Sequence, residues 1–191
     1  MDICLLKLLH EYGISCVAPH YNGVHSSIVN THQGSLNLVK TVSEAMNQIC
    51  LYFGSDLEGR KKASRLQYKL RKNPPIIISD ALYMVAFQLP SMLKNEYVWI
   101  FDLNYKIEEN REKKNCKLIF DNGFEIEIPL SRESINTYRN RAIHLLYEVT
   151  SNVNYAERRI GFLGGWRQMQ IQTPQNQIVH EQGIGYSISN T

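Results

Sequence analysis

The stretch Cys116-Lys-Leu-Ile-Phe-Asp-Asn-Gly-Phe-Glu-Ile-Glu-Ile128 constrains the fold more than any other. Its second half alternates apolar Phe124, Ile126 and Ile128 with acidic Glu125 and Glu127. That is the period of a strand with one buried and one solvated face. Asp121-Asn122-Gly123 between the halves supplies residues that accept the positive φ angles of a hairpin turn. Such a hairpin needs further strands beside it. Short apolar and β-branched runs bounded by turn residues supply them at 14–19, 26–32, 36–42, 76–79, 83–88 and 97–105. Residues 106–114 are charged without an apolar period and read as an exposed loop.

Two segments switch to helical spacing. Ser43 reads as an N-cap, Glu44 suits the first turn, and Ala45, Met46, Ile49, Cys50 and Phe53 share one face, so a helix is predicted over about 43–54. Gly54 ends it in the left-handed conformation. Ser131 caps a second helix over about 132–150, with Ile135, Ala142, Leu146 and Val149 on its apolar face. The expected fold class is α+β: a twisted, mainly antiparallel β-sheet with these two main helices, in a single domain over residues 1–151. Residues 152–191, rich in Gly, Gln and Asn, read as a C-terminal segment, docked or mobile. The run Gly161-Phe-Leu-Gly-Gly165 within it reads as a loop.

Several function classes fall away. Cys4, Cys16, Cys50 and Cys116 form no Cys-x-x-Cys pair and sit in apolar contexts, which suits free thiols in a reducing cytoplasm. The apolar run 3–9 is too short for a membrane helix, and no later run approaches about 20 residues, so a soluble, cytoplasmic protein is expected. His20, His25 and His32 lack a cysteine or carboxylate at ligand spacing, and no metal is expected there. The glycines of 161–165 do not match a phosphate-binding fingerprint. Glu108, Glu109 and Glu112 fall in the charged connector rather than as a catalytic pair. Neither an enzyme nor a cofactor is indicated.

What remains is positive charge in one place. The chain carries a net charge of only +3, yet Arg60, Lys61, Lys62, Arg65, Lys69, Arg71 and Lys72 cluster against only Asp56 and Glu58. Ser55 or Asp56 is expected to cap a short turn reaching Gly59. From Arg65 the sequence reads as a strand, with Leu66, Tyr68 and Leu70 inward and Arg65, Gln67, Lys69 and Arg71 outward, stopped by Asn73-Pro74-Pro75. Gly54 and Gly59 would let the backbone approach a phosphate. The residues alone leave two readings open, a DNA-binding surface or a solvated basic face. The hairpin at Asn122-Gly123 is the weaker candidate, because its outward glutamates repel phosphate.

The segment Cys50-Leu-Tyr-Phe-Gly-Ser-Asp-Leu-Glu-Gly-Arg-Lys-Lys-Ala63, followed by Lys72-Asn-Pro-Pro-Ile76, resembles the signature of the ComK family, competence transcription factors of Gram-positive bacteria. Phe87-Gln-Leu-Pro-Ser91, the strand bearing Trp99, Phe120-Asp-Asn-Gly123 and Pro129-Leu-Ser131 follow in the family's order. The resemblance covers roughly residues 12–150 and is strongest over 50–130. It implies a transcription activator that binds A/T-rich double-stranded DNA from the minor groove as a homo-oligomer, a dimer or pair of dimers. On that reading Arg60 or Arg65 inserts into the groove and the lysines neutralise phosphates. It also implies an adaptor of a Clp protease as a partner of the C-terminal region, where the likeness ends. The alternatives are a β-rich protein-interaction module and an inactive relative that pairs with a true activator.

Overall fold

The computed structural model describes residues 12–69, 73–110 and 115–171, without the side chains of Gln67 and of residues 153–171. Six antiparallel strands form one sheet: β1 (Ile14–Pro19), β2 (Ser27–Thr31), β3 (Gly34–Leu38), β4 (Ile76–Ser79), β5 (Met84–Pro90) and β6 (Tyr97–Ile100), in the order β3-β2-β1-β6-β5-β4. A second sheet, β7-β8-β9, is built from β7 (Tyr105–Asn110), β8 (Asn115–Phe120) and β9 (Glu125–Ile128). The helices are α1 (Val42–Tyr52), α2 (Leu57–Gln67) and α3 (Arg132–Ile171). The chain divides into two compact units, residues 1–150 and 151–191. The first is an α+β unit.

Alternation along the strands gives the six-stranded sheet two apolar faces. Val17, Ala86, Trp99, Ile76 and Ile78 point to one side, where they pack with Val42, Ala45, Met46, Ile49 and Cys50 of α1. Those five fall at the spacing i, i+3, i+4, i+7 and i+8, one continuous stripe of a helix. Cys16, Ala18, Phe87, Leu89, Val98 and Ile100 point to the other side, against Leu118, Phe120 and Ile128 of the small sheet and Ile135, Ala142 and Leu145 of α3. Both faces of the large sheet are thus covered, which is why its central strands read as nearly unbroken apolar runs.

The hairpin forms between β8 and β9. Gly123 adopts φ +82° and donates its N–H to the Phe120 carbonyl at 2.9 Å, while Phe124, Ile126 and Ile128 turn inward and Glu125 and Glu127 stay exposed. Its tip also joins the two sheets. The Asn122 amide donates to Asn30 Oδ1 at 2.8 Å and to the Thr31 carbonyl at 2.6 Å, both on β2. Asn30 is fully buried, so this pairing satisfies a polar group that would otherwise be costly.

Several sequence expectations are corrected. The helix begins one residue earlier than predicted because Thr41, not Ser43, is the N-cap: Thr41 Oγ1 accepts from Glu44 N–H, and the Glu44 carboxylate accepts from Thr41 N–H at 2.8 Å. This reciprocal capping box holds the Glu44 carboxyl below its ordinary range. The strand expected over 36–42 therefore stops at Leu38. Residues 106–110 are not a loop but part of β7, where Lys106 and Glu108 face solvent, Ile107 is half-buried, and Glu108 lies opposite Lys117. The run 97–105 is split between two sheets.

The largest correction concerns the basic segment. Where a strand is predicted from Arg65, residues 65–67 are instead the last turn of α2, closed by Tyr68, and Leu66, expected inside, is 71% exposed; residues 70–72 lie outside the described residues. Leu, Glu, Arg, Lys and Ala are all good helix formers, and Asp56 starts them with a cap. Among the described residues there are three helices where two main ones were expected, and the glycines of 161–165 lie within α3. The lead-in before Tyr12, residues 111–114 and the tail from 172 lie outside the described residues.

Cys16, Cys50 and Cys116 are buried free thiols. Burial pushes the Cys50 thiol up to about 11, against the opposing pull of the nearby Arg60 guanidinium, and raises Cys16 further. Since the thiolate is the reactive form, these three cysteines are expected to resist iodoacetamide at mildly alkaline pH in the folded protein and to react once denaturant is added. Peptide mass spectrometry before and after unfolding checks this. Rapid alkylation of Cys50 in the native protein would contradict the packing described.

Candidate nucleic-acid interface

Helix α2 buries very little of itself. Leu57 and Ser64 are its buried residues, and Lys62, Ala63, Arg65 and Leu66 are exposed. A helix this polar is not held by an apolar stripe, so its anchorage must be polar. Asp56 accepts from the Gly59 N–H as N-cap. A Cβ at Gly59 would lie 2.8 Å from Asp56 Oδ1 and 2.9 Å from Ser55 Oγ, so glycine here makes room for the cap. Asn47 of α1 accepts from the Leu57 N–H at 3.0 Å. Gly54, at φ +84°, lets the chain reverse between the two helices.

Arg60 completes the anchorage. Its Nη1 donates to the Ile77 carbonyl of β4 at 2.6 Å, and its Nη2 donates to the carbonyls of Phe53 at 2.6 Å and Cys50 at 3.4 Å. One guanidinium thus ties α2 to the C-terminal end of α1 and to an edge strand of the sheet. The sequence offers Arg60 and Arg65 equally as residues that reach a ligand. Arg60 is turned inward and engaged with three backbone carbonyls, and Arg65 is exposed.

The other basic residues divide by environment. Lys61 is 17% exposed, with Nζ 2.7 Å from Glu58 and 5.8 Å from the centroid of the Trp99 ring. Lys62 and Arg65 are exposed and make no ion pair among the described residues. Lys69 is exposed at φ +55°, beyond the Tyr68 C-cap. Arg71 and Lys72 lie outside the described residues.

Beside this basic face runs a groove of about 550 Å³, walled on one side by Lys61 and Arg65 and on the other by Asn73, Gln88, Tyr97 and Trp99. Gln88 is 9% exposed and donates to Asn73 Oδ1 at 3.0 Å. Tyr97 is 41% exposed. Two carboxylates also line the groove, but Glu58 is paired with Lys61 and Glu96 accepts from the Tyr21 hydroxyl at 2.9 Å. Among the described residues Arg65 has no ion-pair partner, while Glu96, bonded to a neutral hydroxyl, keeps its negative charge. Cations, an aromatic ring and an amide pair along one groove can hold phosphates and meet base edges or sugar surfaces.

Gln88, Tyr97 and the loop between them are not among the site residues expected from the sequence, although Phe87-Gln-Leu-Pro-Ser91 is part of the family resemblance. The signal was present: Gln88 interrupts the apolar run of β5, and Tyr97 shares the face of Trp99 two residues on. Among the described residues no group of three His, Cys, Asp or Glu could hold a metal ion, and no helix is long and apolar enough to cross a membrane.

Arg60→Met would strip three carbonyls of a charged donor while keeping the length of the side chain. A loss of about 2–3 kcal/mol is expected, which lowers the melting temperature by roughly 2–4 °C per kcal/mol for a chain of this size. Lys62→Ala should change stability by less than about 0.5 kcal/mol. Thermal unfolding of the two variants checks the contrast, and equal melting temperatures would refute the anchoring role.

A family model described as ComK protein matches residues 13–154. A competence transcription factor of Bacillus subtilis (strain 168) is 23% identical over 112 residues, which is 59% of this chain and 58% of that protein. The match therefore spans less than two thirds of the relative's own length. No solved structure matches the chain. With the family model covering most of the chain, including all of β1 to β9, α1 and α2, the protein belongs to the ComK family.

Proposed function

We propose that the protein is a DNA-binding transcription activator of the competence type that recognises A/T-rich boxes mainly through the minor groove. The observation that carries this reading is α2: a helix with almost no buried apolar surface, fixed by Arg60 and Asp56, that displays Lys62 and Arg65 without ion-pair partners among the described residues. Holding unpaired cations on a rigid support serves an anionic partner. Lys62 and Lys69 neutralise phosphates, with Arg71 and Lys72 continuing the charge, and Lys61 is a weaker contributor because Glu58 already pairs with it. Arg65 enters the groove. A narrow A/T-rich minor groove concentrates negative potential, which favours an inserted arginine without base-specific hydrogen bonds.

Membership of the family and likeness to a competence transcription factor support the same reading. It extends to a homo-oligomer, a dimer or pair of dimers on DNA, working in the cytoplasm at the nucleoid. An adaptor of a Clp protease belongs to the proposal as a partner of the C-terminal segment.

Fluorescence anisotropy of the full chain on A/T-rich and G/C-rich duplexes, titrated over a range of salt, tests the assignment. Log K should fall linearly with log salt, and Lys62→Ala should flatten the slope by about 0.9 per bound copy and weaken both duplexes alike. Arg65→Ala should abolish the preference for A/T-rich duplex. A slope near zero, or undiminished discrimination in Arg65→Ala, would sink the reading.

A further inference from the structure

The groove beside α2 has a second bank, the turn joining β5 to β6. Residues 91–96 run Ser-Met-Leu-Lys-Asn-Glu, and Asn95, Glu96 and Tyr97 line the same groove as Lys61 and Arg65. At the tip Met92 is 53% and Leu93 44% exposed, with exposed Lys94 next to them. Adjacent apolar residues on a hairpin tip thus present surface that the described residues leave uncovered.

The tip is built to hold a shape. Ser91 N–H donates to the Glu96 carbonyl at 2.9 Å, Glu96 N–H donates to the Leu93 carbonyl at 3.2 Å, and Leu93 N–H donates to Ser91 Oγ at 3.1 Å. Asn95 takes φ +63°, closing the turn. Outside the turn, the Glu96 carboxylate is held by the Tyr21 hydroxyl of the β1–β2 loop. Met92 and Leu93 are therefore displayed by a braced support, and the entropy of ordering them is spent in folding rather than in binding.

We propose that Met92 and Leu93 are an apolar wedge that enters the minor groove of bound DNA and opens one base step, while α2 grips the backbone across the groove. This rests on the DNA-binding reading above and adds the residues that deform the duplex. Charge argues for the occupant: Lys61, Lys62 and Arg65 of α2 and Lys94 of the turn outnumber Glu58 and Glu96, so the surface favours a polyanion with apolar faces between its charges. Minor-groove proteins use Met and Leu in this way, unstacking a step at a cost of a few kcal/mol that wider contact offsets. A/T-rich sequence fits, because TA steps unstack easily.

The test places 2-aminopurine, an adenine analogue that brightens on unstacking, at successive positions of an A/T-rich duplex and adds the full chain. A rise of several-fold is expected at one step and little elsewhere. The Met92→Ser, Leu93→Ser double variant should lose that rise and bind about tenfold more weakly, as expected for losing one such insertion. Its salt slope and melting temperature should be unchanged, since the phosphate contacts and core remain. Salt-dependent binding by the parent chain with no bright position, or full affinity and brightness in the variant, would overturn the wedge alone. Absence of any duplex binding by the parent chain would overturn both this proposal and the DNA-binding reading. A variant whose mass in sedimentation falls to that of a monomer while its 2-aminopurine signal persists would instead assign the tip to contact between copies, and that too overturns it.

Discussion

The guanidinium of Arg60 is the interaction on which the arrangement of the basic face depends. Helix α2 puts one apolar side chain, Leu57, into the core, and the rest of its tertiary anchorage is mostly polar: the Asn47 bond to the Leu57 N–H, Lys61 over Trp99, and the three carbonyls that Arg60 gathers from α1 and β4. The carbonyl of Ile77 belongs to an edge strand, where acceptors would otherwise be open to another chain. A single side chain therefore occupies one acceptor of a sheet edge and helps fix the helix that carries Lys62 and Arg65. Its positive charge is spent on structure so that its neighbours' charge is available.

The large sheet makes this possible by being covered on both faces. With α1 on one side and the small sheet and α3 on the other, β1, β5 and β6 form a stiff centre from which one end emerges. At that end the chain assembles pieces far apart in sequence: the first turn of α1, the middle of α2, Gln88 and the turn before Tyr97. Functional groups on turns gain precision when the scaffold beneath is rigid. The Asn30–Asn122 contact at the hairpin tip extends the stiffness between sheets, so the feature that most resembles a projecting ribbon is occupied in holding the fold together.

Much of the fold was legible in the sequence. The hairpin, β1, β2, β4, the apolar stripe of α1 and the start of α3 follow from periodicity and turn chemistry, because each has a long or clean pattern. The basic segment was legible as charge but not as shape. Alternation from Arg65 to Arg71 matches a strand, yet over so few residues it competes with helical spacing, and the Asp56 cap with good helix formers after it prevails as far as Gln67. β7 was hidden because Tyr105 and Ile107 are its only inward residues and charges surround them. The inward role of Arg60 could not be read, since nothing local distinguishes an arginine that meets backbone carbonyls from one that meets solvent. The groove was equally invisible, because its walls are brought together by the sheet alone.

The central claim is that the outer face of α2 and the β5–β6 turn, rather than the outer face of the small sheet, meet DNA. Lysine reactivity toward an acetylating reagent, read by peptide mass spectrometry with and without A/T-rich duplex, tests it most directly. The account predicts that Lys62 and Lys94 are protected by the duplex while Lys106 and Lys117 keep their reactivity. Protection of Lys106 and Lys117, with Lys62 and Lys94 as reactive as in the free protein, would contradict it.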